Sequence, residues 1–89
     1  MKLHIIFLRK NIVTEKEKEL YQKYQKLTTE EIYDRALQLA KNLKYKTAVG
    51  TIQREAQFWS KEAIKEDLME FLQKGEKISE YNLIMMLTD

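Results

Sequence analysis

The stretch Arg35–Arg54, RALQLAKNLKYKTAVGTIQR, carries Arg35, Lys41, Lys44, Lys46 and Arg54 and not one carboxylate. Its apolar residues return at helical intervals on both sides of a short lysine-bearing break. Ala36, Leu37, Ala40 and Leu43 come before it, and Ala48, Val49 and Ile52 after it. That spacing predicts two helices joined by a tight connection at Lys44–Lys46. Fold class and the first functional expectation both follow from this pair.

Toward the N-terminus, Thr28 with Glu31 is a capping-box pattern that opens the first helix of the pair and adds Ile32 and Tyr33 to its apolar face. Thr14 with Glu17 repeats the device and predicts a helix over Glu15–Leu27, with Leu20, Tyr21, Tyr24 and Leu27 inward. Before it, Lys2–Leu8 is short, β-branched and aromatic, and reads as a strand. Its only plausible partner by composition is Leu83–Leu87, although Leu and Met favour a terminal helix there.

Toward the C-terminus, Thr47 is expected to cap the second helix of the pair. Gly50 lies inside that helix at a cost of about 1 kcal/mol against alanine, tolerable if another backbone approaches closely there. Phe58 and Trp59 are expected to plug the core at its end. Ser60 caps a helix over Lys61–Lys74, facing inward through Ile64, Leu68, Phe71 and Leu72 and closed by Gly75. Ile78 and Leu83 bracket the start of one more helix as a hydrophobic staple. The expected fold is mostly α: a compact four- or five-helix single domain over 1–89, with a short N-terminal β-strand and a helix-turn-helix-like unit at 40–57.

Composition narrows the chemistry. The absence of Pro and the two Gly argue against a turn-rich sandwich or barrel. The absence of Cys excludes disulfides, thiolate nucleophiles and thiolate-bound zinc. The longest apolar run, Leu83–Leu87, is far short of the roughly 20 residues that span a bilayer. No membrane association is expected, and the start of the chain lacks the apolar core of a secretion signal, so the cytoplasm is the expected location. His4 is the only histidine, and the Glu66–Glu70 pair has no companion at metal-ligand or catalytic spacing. No catalytic residue, metal or cofactor is assigned, and an enzyme is not expected.

Charge is unevenly shared. Residues 1–60 hold twelve Lys/Arg against seven Asp/Glu, whereas 61–89 hold four against seven. Two functional readings follow. In the first, the chain is a non-enzymatic DNA-binding or DNA-associated regulator of transcription. Lys41, Lys44 and Lys46 would hold phosphates of double-stranded DNA, and Thr47, Thr51, Gln53, Arg54 and Gln57 would meet the groove. A homodimer would form through the apolar C-terminal segment. The spacing fits this imperfectly, because Gly50 occupies the slot of a buried branched residue. In the alternative, the chain is a small protein-interaction module, an adaptor or inhibitor. It would engage a host protein or a second copy through its acidic helix, with Glu66 and Glu70, and through the Trp59 region.

Overall fold

Every helix but one begins where the sequence supplies a capping side chain, and the exception shapes the fold. The computed structural model describes residues 14–88. Helix α1 spans Glu15–Gln25, α2 Thr29–Asn42, α3 Lys46–Phe58, α4 Lys61–Lys74 and α5 Glu80–Thr88, with a single 3₁₀ turn at Gly75–Lys77. Thr14 and Thr28 form complete capping boxes with Glu17 and Glu31. The Ser60 hydroxyl accepts from the Ala63 N–H, and that of Ser79 from the Asn82 N–H. These contacts satisfy donors that a helix start otherwise leaves open.

Helix α3 has no such local cap. Tyr45 stands at the cap position and its side chain makes no capping bond, so Thr47 does not cap as expected. The Ala48 N–H instead donates to the Glu80 carboxylate at 3.0 Å, 32 residues along the chain. Beside it the Tyr45 hydroxyl donates to the Ile78 carbonyl at 2.8 Å. Two bonds therefore tie the start of α5 to the start of α3.

The same kind of tie orders the other helices. Lys74 Nζ lies 2.9 Å from Glu17 Oε2, and the Tyr21 hydroxyl donates to Glu66 at 2.8 Å, so α1 runs antiparallel to α4. Lys61 meets Glu30 and Thr29 meets Glu62, so α2 and α4 start at one end. Helix α4 packs on all four others and is the axis of the domain. Its core positions Ile64, Leu68, Met69 and Phe71 meet Ile32, Ala36 and Ala40 of α2, Ala48 and Ile52 of α3, and Leu83, Met86 and Leu87 of α5 in one buried cluster. Small residues at 36, 40 and 48 leave room for the helix axes to approach.

The described residues form five helices and no strand, so the strand-bearing fold does not hold for them. Leu83–Leu87 is helical, because its Leu and Met residues favour helix and bury Leu83, Met86 and Leu87 in the core. The proposed strand Lys2–Leu8, with His4, lies outside the described residues.

The connection between α2 and α3 is three residues long and closes without a glycine. Lys44 adopts a left-handed conformation with φ 63°. Its N–H reaches the Lys41 carbonyl, and the Tyr45 N–H reaches that of Ala40. This pairing is a Schellman closure, with lysine in the place that usually holds glycine.

Phe58 and Trp59 do not plug the core, since 75% and 55% of their surfaces are exposed. Gly50 is also exposed, and a Cβ built on it meets nothing within 4 Å. Its missing side chain admits no close neighbour, so Gly50→Ala is expected to stabilise the protein by about 0.5–1 kcal/mol. Urea unfolding followed by circular dichroism checks this, and a loss of stability would show that the site is crowded.

Candidate functional site

The residues assigned to DNA do not assemble into a reading face. Thr47, Gln53, Arg54 and Gln57 are exposed on α3, but Thr51 is 2% exposed and its hydroxyl donates to the Thr47 carbonyl within the helix. Arg54 Nε lies 4.0 Å from the carboxylate of its neighbour Glu55.

The start of α3, which a recognition helix must offer to DNA, is filled by Glu80 and flanked by α5. An anion is the natural occupant of that positive helix pole, and here the protein provides it. Lys41, Lys44 and Lys46 are exposed around the turn, yet Lys44 serves there as a helix terminator. A basic DNA-binding face is therefore overturned. The accessible surface that stands out is instead Glu-rich and aromatic.

That surface lies at the end of the domain where α2 and α4 begin and α3 finishes. Helix α3 ends at Phe58, its last turn closed by the Trp59 N–H to the Glu55 carbonyl at 2.8 Å. The chain then extends through Trp59 to the cap Ser60. Two large aromatic residues follow one another at this bend, and each is more than half exposed. Trp59 precedes the cap, where an apolar residue commonly folds back on the helix, but most of its surface stays open.

Carboxylates mark the two helix starts at this end, with Arg35 beside those of α2. Glu30 and Glu31 stand in the first turn of α2, Asp34 one turn on, and Glu62 in the first turn of α4, all exposed. Lys61 shows what they do to a cation. Its ammonium lies 2.7 Å from Glu30 Oε2 and 4.3 Å from the centre of the Tyr33 ring. The Glu30 bond above all, with Tyr33 and Asp34 nearby, holds its pKa above the usual lysine value. The Glu31 carboxyl is held below its ordinary value by the Thr28 backbone N–H and hydroxyl, so it stays ionised in its capping box.

Other acidic residues serve the fold. Glu66 is half-buried and accepts the Tyr21 hydroxyl, an O–H that burial and that carboxylate hold protonated past its ordinary value. Glu17 is buried, and the Lys74 bond above all keeps its carboxyl below the usual range. Glu70 is half-buried rather than outward. Of the three interaction residues expected from the sequence, Trp59 alone stands in the open, and Glu66 and Glu70 turn partly toward the body of the domain.

The exposed ring Phe58 and the carboxylates Glu30 and Asp34 were missed, whereas Glu62 belongs to the acidic helix expected from the sequence. Their signal was present in the alternation of acidic first turns with capping residues, but only folding brings the two helix starts together. Among the described residues no three His, Asp or Glu side chains gather as metal ligands. None of their helices is long and apolar enough to cross a membrane. Comparison with known protein families, curated proteins and solved structures finds no match.

Proposed function

We propose that this chain is a protein-interaction module, an adaptor or inhibitor, that engages its partner through Phe58, Trp59 and the acidic surface beside them. The observation that carries this reading is that two aromatic residues adjacent in sequence, Phe58 and Trp59, are both left open; Tyr81 and Met85 on α5 are the other exposed large apolar side chains among the described residues. Phe71, Ile32, Ile52, Leu68, Met69, Leu83 and Leu87 are all enclosed. Exposing two large rings loses the free energy that burial would supply, about 2 kcal/mol or more for each. A rigid Trp at a helix end is well suited to anchor an interface, because it offers a large contact area and loses little side-chain entropy.

Neither ring is needed by the fold, which makes the test direct. Phe58→Ala and Trp59→Ala are each expected to leave stability within about 0.5 kcal/mol of the parent. Each is expected to abolish retention of the partner when the tagged protein is used for capture from its own cells. Retention of the same proteins by the doubly substituted chain would reject this surface as the binding site.

A further inference from the structure

We infer that α1 is a detachable arm, a helix that leaves α4 and unfolds on its own while α2–α5 stay folded, with the Glu17–Lys74 and Tyr21–Glu66 bonds as its latch. Burial sets α1 apart from the other helices. Each of α2–α5 encloses apolar side chains in the core, and even α3 encloses Ala48 and Ile52. The one buried residue of α1 is Glu17, a carboxylate. Its apolar residues Leu20, Tyr21 and Tyr24, with Leu27 just past its end, are all partly exposed. Tyr21, Tyr24 and Leu27 rest against the edge of the core rather than inside it.

What α1 covers is readily wetted. Glu17 Oε2 lies 2.9 Å from Lys74 Nζ, and the Tyr21 hydroxyl donates to Glu66 at 2.8 Å. Glu66, Glu70 and Lys74 recur at every fourth position, so they form one stripe along α4. Opening returns these charged groups to water and bares only the edge of the core that Tyr21, Tyr24 and Leu27 reach. A buried ion pair adds little net stability, because desolvating both charges offsets their attraction, yet losing one partner strands the other. Docking is therefore firm only while both are present. Nor does α1 hold together by itself. It is 11 residues long, below the roughly 12–15 residues at which an isolated helix is marginal in water. Leaving α4 thus melts it, despite the capping box at Thr14. The open form then offers the Glu66–Lys74 stripe and the inner side of α1 together, and a molecule that binds either one only when free raises the open population.

Amide exchange of the full chain, read residue by residue through a series of low urea concentrations, tests this. The amides of residues 19–25 should exchange through an opening roughly tenfold or more as populated as the one that frees Ile52, Leu68 and Leu83. Its dependence on urea should be weaker, since less surface is exposed. Ile52→Val thins the core without touching the latch. It should speed exchange at Leu68 and Leu83 several-fold and leave α1 unchanged, because the open form keeps its core. Lys74→Met strands the Glu17 carboxylate and should speed exchange in α1 by roughly tenfold. Tyr21→Phe keeps the ring, drops the donor to Glu66 and should speed it several-fold.

Exchange in α1 through the same opening as the core, with equal urea dependence, would overturn the inference, since α1 would then open only when the whole domain unfolds. An acceleration of α1 in Ile52→Val equal to that at Leu68 would overturn it on the same ground. Unchanged exchange of α1 in both Lys74→Met and Tyr21→Phe would remove the two bonds as its latch. Should Lys74→Met fail to fold, the milder Tyr21→Phe decides that point alone.

Discussion

Phe71→Ala is expected to lower the free energy of unfolding by about 3–5 kcal/mol, the cost of losing a large buried ring and leaving a cavity. Phe71 has no exposed surface and is the largest fully enclosed side chain. It sits on α4, the helix that packs on every other described helix, so no single neighbour can move in to fill the space. A domain of this length has a total stability of only about 4–13 kcal/mol. The variant should therefore unfold at a much lower urea concentration or fail to fold at 37 °C.

The informative comparison is Phe58→Ala, the same chemical deletion at a ring that is largely in water. A loss below about 1 kcal/mol at Phe71, or a large loss at Phe58, would show that core and surface have been assigned the wrong way round.

Glu80→Ala is expected to cost about 2 kcal/mol, an unusual amount for a partly exposed glutamate. Among the described residues this side chain is the only cap that α3 has, through the 3.0 Å bond from the Ala48 N–H. Removing it leaves that donor open and removes an anion from the positive pole of the helix, where Lys46 adds another positive charge. It also cuts one of the two bonds that hold the start of α5 against α3. Glu80→Gln keeps an acceptor oxygen and should recover about half the loss. Amide exchange gives the decisive readout. The Ala48 N–H should exchange markedly faster in Glu80→Ala, and unchanged protection there would reject the long-range cap.

These two results bear on function because they separate what holds the domain together from what it offers outward. The DNA reading treated α3 as a protruding helix with a free start and an outward row of polar groups. Thr51 is turned in, Arg54 lies near Glu55, and the helix start is occupied by a carboxylate from α5. The same helix instead contributes through its far end, where Phe58 and Trp59 lie in the open.

Much of the helical layout was legible in the residues. Thr14 with Glu17, Thr28 with Glu31, and Ser60 act as read, because a cap is settled by atoms only three residues apart. Gly75 adopts φ 51° at the end of α4, a conformation open to it for lack of a Cβ. The buried row Ile32, Ala36, Ala40 follows from helical periodicity. The Schellman closure at Lys44 was not legible, since lysine in a left-handed conformation carries no local advertisement. Nor was the outward direction of Phe58, whose hydrophobicity argued for the core, whereas an exposed Trp59 was one of two readings the sequence left open.

By itself, the sequence determined the helices, the capped starts of all but α3, and most of the residues each turns inward. Those are properties of near neighbours, decided by hydrogen bonds and spacings within one or two turns. The tertiary structure alone decided that Glu80 would cap a helix 32 residues away, that Lys61 would stand between Glu30 and Tyr33, and that Phe58 and Trp59 would remain uncovered. Those outcomes depend on which helix ends meet, and the packing of α1, α2, α3 and α5 on α4 sets that, through contacts between residues far apart in the chain.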